Sequence, residues 1–149
     1  MAESSSSSRA AIDAVLRRYF WGIDSQQRAV VLACFADDAR IRYGRGHEAR
    51  GIDEIRRLFE GGAVAREIGL EITSTMHTVS AVEIELDGDR ATSVLAAVAH
   101  LVGERDGAGR IVVRGLRYED ALCRRDNGWK IVDRHHSALW MYEVVSEPV

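Results

Sequence analysis

The sequence predicts an α+β domain in which helices come first and a long antiparallel meander follows. Up to about residue 69, apolar side chains recur at the spacing of amphipathic helices, whereas the chain after Leu70 is rich in β-branched residues. Asp87-Gly88 and Asn127-Gly128 lie between such β-rich segments, and these dipeptides are the strongest short-range hairpin signals. Helices followed by strands are typical of a curved sheet with helices packed on one face.

Length and composition limit the classes of protein to be considered. A chain of 149 residues is expected to form one domain. We place that domain at residues 9–149, after a serine-rich disordered lead at residues 1–8. The net charge of −3, with Lys and Arg scattered among Asp and Glu, argues against a nucleic-acid partner. No apolar run reaches membrane length, and Cys34 and Cys123 are isolated rather than paired. We therefore expect a cytoplasmic protein without a membrane partner.

The helical part divides at its glycines and capping residues. Ser8 is a candidate N-cap of the first helix, and Asp24 or Ser25 of the second. The predicted elements are a helix at Ala10–Trp21, a helix at Gln26–Phe35, a strand at Ala39–Tyr43, a loop at Gly44–Gly51, a helix at Ile52–Phe59 and a short helical piece up to Gly69.

The β-rich part predicts four long strands, of which the first two form a hairpin. They follow one another as Thr73–Leu86, Ala91–Leu101, Ile111–Arg124 and Trp129–Val144. Both faces of the first hairpin are apolar, so one face is expected to pack on the helices and the other to need a second cover. A second copy of the chain is the simplest cover, which predicts a homodimer or homotrimer.

His77 and His100 lie one on each arm of the first hairpin. If the loop is Asp87-Gly88, His77 faces Val98 and His100 lies one diagonal step away. If the loop is Gly88-Asp89, the two histidines oppose each other directly. Both registers place them on one face of the sheet, and only a slip of one residue would separate them. The pair indicates either a site or two half-buried histidines bonded to the backbone.

Several short motifs, in order, carry a resemblance that covers nearly the whole chain. They are Tyr19-x-x-x-x-Asp24, Cys34-Phe35-Ala36-Asp37-Asp38-Ala39, Gly51-Ile52-Asp53-Glu54-Ile55, Thr75-Met76-His77, Asp87-Gly88-Asp89-Arg90-Ala91, and Tyr118-Glu119-Asp120 leading to Gly128-Trp129-Lys130-Ile131. The chain resembles the SnoaL-like branch of the nuclear transport factor two-like superfamily. This resemblance implies a cone-shaped curved antiparallel sheet with the N-terminal helices on its concave face.

The site residues follow from a narrower resemblance, to the scytalone dehydratases and hexachlorocyclohexane dehydrochlorinases. Asp24 and His77 match the aspartate and histidine that those enzymes pair. Tyr43 and His100 match two further scytalone dehydratase positions in order. Leu116 and Tyr118 stand near the places of a serine and an asparagine, so the substrate should not be carried over. Arg134 is the nearest counterpart of a dehydrochlorinase arginine.

These matches give each residue a chemical role. A carboxylate such as Asp24 that accepts one ring N–H fixes the tautomer of an imidazole, and the other nitrogen of His77 is then free to take a proton. The alternative role of Asp24 is a helix N-cap. The expected substrate-binding residues are Tyr19, Tyr43, His100, Tyr118 and Arg134.

Arg134 and Tyr118 leave alternatives open. Arg134 has a structural interpretation, namely an ion pair with Asp120, Asp133 or Glu119. A regular hairpin also places Tyr118 and Arg134 on opposite faces, so that both enter one pocket only if a bulge intervenes.

The predicted function is that of a small lyase or isomerase of the dehydratase type. It would act on a hydrophobic cyclic molecule with His77 as general base, and we expect no metal and no cofactor. The alternative is a non-catalytic small-molecule-binding protein or an accessory component of a larger complex, like a dioxygenase small subunit.

Overall fold

The computed structural model describes residues 5–44 and 46–147. In the described part of the chain, four helices and two short strands make up the first half, and four long strands make up the rest. The elements are α1 (Ser5–Asp24), α2 (Arg28–Leu32), β1 (Phe35–Tyr43), β2 (His47–Arg50), α3 (Ile52–Glu60), α4 (Ala63–Ile68), β3 (Glu71–Asp87), β4 (Arg90–Arg105), β5 (Ala108–Arg125) and β6 (Gly128–Val145).

The strands form one curved sheet in the order β2-β1-β6-β5-β4-β3. The predicted α+β class and meander are confirmed for β3 to β6, which pair antiparallel. One pairing outside the meander is of the other kind, because β1 runs parallel to β6. The whole meander separates these two strands in sequence, and such a long connection allows parallel pairing.

The first helix begins earlier than predicted. Helix α1 includes Ser5 to Ser8, so these four residues are not a disordered lead and Ser8 is not an N-cap. Ser8 is buried, and its hydroxyl accepts a hydrogen bond of 2.8 Å from Nη2 of Arg124 on β5. This tertiary contact holds a segment of modest helix propensity. Residues 1–4 of the predicted lead lie outside the described residues.

The end of α1 also corrects the predicted capping. Gln26 has φ 57°, its N–H bonds Ile23 O, and the Gln27 N–H bonds Gly22 O, which is the Schellman arrangement. Asp24 is therefore the last residue of α1 and not the cap of α2, whose N-cap position is held by Gln27. The second helix is also shorter than predicted.

Two strand boundaries differ from the prediction for the same reason. Strand β1 begins at Phe35 rather than Ala39, and His47–Arg50, predicted as loop, forms β2 beside it. Arg40 pairs with Arg50 and Tyr43 with His47 in this short antiparallel ladder. Pairing between neighbouring segments outweighed their weak sequence signals, as is common for short edge strands.

The β3–β4 hairpin turns at Gly88-Asp89, with Asp87 paired to Arg90. This is one of the two predicted registers, but it does not persist along the strands. Val79 pairs with Ala97 and Ala81 with Ala96, so Ser80 is an extra residue in β3. A one-residue bulge exchanges the two faces of everything beyond it. A second shift lies between Ile72 and Ser74.

The core lies between the helices and the inner face of the sheet. It contains alternate residues of β4 and β5, such as Leu95, Leu101, Leu116 and Leu122, packed against Ile12 and other residues of α1. Within the described residues, no helix has the length and apolar character needed to span a membrane.

Candidate functional site

A cavity of about 270 Å³ lies between the helices and the inner face of the sheet. Most of its wall is apolar, and the sheet contributes small or aliphatic side chains at Ala99, Leu101 and Leu116. Its polar lining residues are Tyr19, Tyr43, Thr75, His77, Arg114 and Tyr118. A small apolar cavity with a few polar groups is typical of a site for a small organic molecule.

Asp24 and His77 are in direct contact at the cavity wall. His77 Nδ1 lies 2.7 Å from Asp24 Oδ1, and the His77 backbone N–H donates to Asp24 Oδ2 over 2.8 Å. Thr75 Oγ1 donates to Asp24 Oδ1 over 2.9 Å. A carboxylate accepts hydrogen bonds only, so Nδ1 carries a proton in this contact, and in the neutral ring Nε2 is then the acceptor. The contact that the sequence predicted is present.

The position of Asp24 is unfavourable for a carboxylate unless donors compensate it. It is the last residue of α1, where the helix dipole repels negative charge. The side-chain and backbone donors of Thr75 and His77 offset this repulsion. The ring of His77 also packs on Phe20, with 5.3 Å between ring centroids. Both the tautomer and the orientation of the imidazole are thus fixed by neighbours.

Three predicted tyrosines line the cavity. Tyr19 comes from α1, Tyr43 from the end of β1 and Tyr118 from the middle of β5. Burial raises the pKa of all three phenols above the ordinary value. They therefore stay protonated at neutral pH and present hydroxyl groups that can donate hydrogen bonds.

His100 does not belong to this cavity, and its predicted position is wrong. The Ser80 bulge pairs His77 with Ala99, so His100 pairs with Met76 and points to the outer face. The lining residues of β4 are its neighbours Ala99 and Leu101. The one-residue slip that would separate the two histidines has occurred.

Arg134 faces the interior but lies behind the cavity rather than in its wall. It forms a bidentate ion pair with Asp120, with Nε–Oδ1 and Nη2–Oδ2 distances of 2.7 Å. Burial alone would lower its pKa, but the attraction and hydrogen bonds of Asp120 outweigh burial and raise it. The structural interpretation of Arg134 is therefore the observed one.

The guanidinium of Arg134 packs against the rings of two cavity tyrosines. Its Cζ atom lies 4.2 Å from the ring centroid of Tyr19 and 4.8 Å from that of Tyr118. A register shift between Ala121 and Leu122 makes this possible, since it brings Asp120 opposite Arg134 and Tyr118 opposite His136. The bulge that the sequence required for both residues to face inward is present.

Sequence reasoning missed two residues near the cavity, Arg114 and His136. Both are buried, at 3% and 1% exposure. Side chains two residues apart on a strand point to the same face, so Arg114 shares the inner face with Leu116, Tyr118 and Asp120. Counting back from the predicted site residue Tyr118 would therefore have found Arg114. No such signal exists for His136, because the bulge in β6 changes its face.

His136 is a neutral histidine wedged between aromatic rings. It stacks on Tyr43 with 4.0 Å between centroids and a 4° interplanar angle, and contacts Tyr118 edge-on at 4.8 Å. Burial, with Arg114 and Arg134 nearby, lowers its pKa to about 3. It therefore acts as an uncharged packing element at neutral pH. Across residues 5–44 and 46–147, no group of three His, Cys, Asp or Glu side chains is placed to hold a metal.

The family assignment rests on a match between residues 4–135 and the SnoaL-like domain. The chain belongs to the SnoaL-like family. The predicted family resemblance is thereby confirmed. No curated protein is significantly similar to the chain in sequence.

Solved structures agree with this SnoaL-like assignment. A hexachlorocyclohexane dehydrochlorinase from Novosphingobium barchaimii matches with a TM-score of 0.78 and 18% identity, over 95% of each chain. A candidate scytalone dehydratase from Novosphingobium aromaticivorans matches with a TM-score of 0.75 and 20% identity, over 95% of this chain and 90% of that one. An NTF2-like protein with a cystatin-like fold from the same species matches with a TM-score of 0.70 and 20% identity, over 89% and 82%. At such identities these neighbours establish the shared fold, and enzymes of the lyase type are among them.

Proposed function

We propose that the protein is a cofactor-independent lyase or isomerase of the dehydratase type, which removes a proton from a hydrophobic cyclic molecule. The observation that carries the proposal is the Asp24–His77 contact at the wall of an apolar cavity. His77 Nε2 would take the proton from a C–H bond, and the electron pair left on carbon would form a double bond. Asp24 would stabilise the imidazolium that results.

The fate of the electron pair separates the two reaction types. In a lyase the new double bond expels a leaving group, such as hydroxide or halide, from the neighbouring carbon. In an isomerase the imidazolium returns the proton to a different carbon. The hydroxyl groups of Tyr19, Tyr43 and Tyr118 would hold a substrate oxygen in either case, because hydrogen-bond donors fixed in an apolar site stabilise developing negative charge.

The proposal is tested by a substrate screen in D₂O. The purified protein is incubated with a panel of apolar cyclic compounds that carry an acidic C–H bond next to a carbonyl, hydroxyl or halide. We expect mass spectrometry to find either deuterium incorporation or loss of water or hydrogen halide for a subset of the panel. The matched control is His77→Ala, which keeps the cavity but lacks the base. Equal conversion by both proteins, above a protein-free blank, would contradict the role of His77. Conversion no faster than the blank in both would favour a non-catalytic binding protein.

We also propose that the chain assembles as a homodimer or homotrimer through the outer face of the sheet. An outer patch of Met76, Val94, Trp140, Tyr142 and Val144 is 44–66% exposed on that face. One row of paired residues crosses four strands on this face, namely Met76, His100, Val113 and Tyr142. An exposed apolar surface of this kind is typical of a subunit contact.

Assembly is tested by sedimentation velocity at micromolar concentration. We expect wild-type protein to sediment as two or three chains, and Met76→Glu to sediment as one chain because a buried carboxylate without a partner destabilises an apolar interface. Met141→Glu is the matched control, since Met141 is 59% exposed but pairs with Arg114 on the other face. A monomeric wild-type protein would contradict the proposal.

A further inference from the structure

Arg114 is a buried arginine whose charge is unpaired within the described part of the chain. It is 3% exposed and lines the cavity from β5. Its side chain forms no hydrogen bond or ion pair with any residue that the structure describes, and its Nε atom is buried and unsatisfied. The other buried arginine, Arg134, has a bidentate carboxylate partner. A guanidinium stays charged at every physiological pH, so an unpaired one in an apolar wall is costly unless a ligand completes it.

The position of Arg114 is set by the register of three strands. His77 pairs with Ala99 on β4, and Ala99 pairs with Arg114 on β5. Residues paired in this way point to the same face, so the three side chains form one row on the inner face. Neighbouring strands lie about 4.8 Å apart, which separates the Cα atoms of His77 and Arg114 by roughly 9–10 Å. The small side chain of Ala99 leaves the space between them open.

We infer that Arg114 is the anion-binding residue of the cavity and that the ligand is an apolar molecule carrying a carboxylate. The planar guanidinium matches a carboxylate through paired hydrogen bonds, which makes arginine the usual partner of this group. The inference rests on the proposed function in taking the same cavity as the ligand site. It adds that the ligand lies along the row, with its carboxylate at Arg114 and its reactive C–H bond at His77.

The charged neighbours of Arg114 do not already satisfy it. Glu67 of α4 lines a second cavity beside Arg114, yet the two side chains form no ion pair. Tyr43 and His136, which also lie near its charge, are both neutral at pH 7 because burial raises the pKa of the phenol and lowers that of the imidazole. In the lining of the first cavity Arg114 therefore supplies positive charge, whereas the carboxylate of Glu67 lies in the lining of the second cavity.

The test compares two probes of similar shape, 2-naphthoate and 2-naphthamide, whose binding is measured by calorimetry at pH 7.5. We expect wild-type protein to bind the carboxylate roughly 10–100-fold more tightly than the amide, the effect of a buried hydrogen-bonded charge pair. Arg114→Met, which keeps an unbranched chain of similar length, should lose this preference while its Kd for the amide changes less than about 3-fold. Arg114→Lys should keep part of the preference, since it keeps the charge. Arg117→Met is the matched control and should behave as wild type, because Arg117 is an exposed arginine of β5 on the outer face.

A stability measurement distinguishes a ligand-binding role of Arg114 from a structural one. Because Arg114→Met removes an uncompensated buried charge, the Tm of the free protein should rise, whereas the loss of a structural arginine would lower it. Equal binding of the two probes, no binding of naphthoate up to about 1 mM, or an unchanged preference in Arg114→Met would overturn the inference. His77→Ala should still bind naphthoate. A failure of the proposed chemistry at His77 is therefore distinguishable from a failure of the anion site.

Discussion

Replacing His77 by alanine should lower kcat by roughly 10²–10⁴-fold while the protein stays folded, because a general base contributes about that much to a proton transfer. The side chain lines the cavity rather than the centre of the core, so its removal enlarges the cavity without unpacking the sheet. The measurement is kcat on a substrate identified in the D₂O screen, normalised to the folded fraction from circular dichroism. His135→Ala is the matched control, since His135 is a strand histidine with 43% side-chain exposure that lies 3.5 Å from Glu119 at the surface.

Asp24→Asn should produce a similar loss by a different route. The His77 backbone N–H is a fixed donor to one carboxylate oxygen, so the asparagine must present its carbonyl oxygen there. Its NH₂ group then faces His77 Nδ1, which must become the acceptor and leaves the ring proton on Nε2. That tautomer cannot take a proton from a substrate. Asparagine in place of the triad aspartate of a serine protease impairs catalysis for the same reason.

Nitrogen-15 NMR of the imidazole distinguishes the two tautomers directly. We expect the Nδ1–H form of His77 in wild type and the Nε2–H form in Asp24→Asn. Full turnover in Asp24→Asn, or turnover per folded molecule unchanged in His77→Ala, would leave the pair with a structural role only.

Asp120→Ala should cost roughly 3–5 kcal/mol of unfolding free energy, because it leaves the charge of Arg134 buried and unpaired. The two side chains are 0% and 1% exposed, so little solvent screens the pair. For a domain of this length the expected fall in Tm is roughly 6–20 °C. Thermal unfolding followed by circular dichroism measures it.

The control for this prediction is a half-exposed ion pair that includes Asp133, the neighbour of Arg134 on β6. Asp133 bonds Arg42 over 2.7 Å, but their side chains are 32% and 43% exposed. Asp133→Ala should therefore cost no more than about 1 kcal/mol. Equal losses in the two variants would mean that burial does not decide the strength of these pairs. The double variant Asp120→Leu with Arg134→Met should recover much of the loss, since it removes both charges together.

The sequence was sufficient for the architecture because the relevant signals are redundant. Several turns and a long alternating pattern all indicate helices followed by a meander, and errors at single boundaries do not change that layout. The start of α1 and the second strand were missed where tertiary contacts outweigh local preference, as at Ser8 and at His47–Arg50. The Asp24–His77 contact was found through the resemblance, not through spacing.

The faces of the strands were less predictable, because each depends on counting residues from a turn. Neither register shift, at Ser80 or between Ala121 and Leu122, is marked in the sequence by a glycine or proline. Because the bulge at Ser80 was not foreseen, His100 was predicted on the wrong face. The shift between Ala121 and Leu122 places Tyr118 and Arg134 on the same face. Arg114 was overlooked for another reason, namely that an arginine on a strand is ordinarily solvated.

The bulge at Ser80 also bears on how the composition of this cavity can change over time. Point substitutions alter the chemistry of a position but leave its face unchanged, so Thr75 and His77 remain inside whatever their neighbours become. Absorption of Ser80 into a regular ladder would instead pair His77 with His100 and exchange the faces of the whole N-terminal half of β3, bringing Met76 and Thr78 inward in a single step. Loss of Ser80 itself would remove the bulge and leave these faces unchanged, since His77 would still pair with Ala99. The presence or absence of this bulge is therefore a discrete switch between different binding cavities on one fold, and relatives of equal length with and without it should not be aligned position by position across their sites.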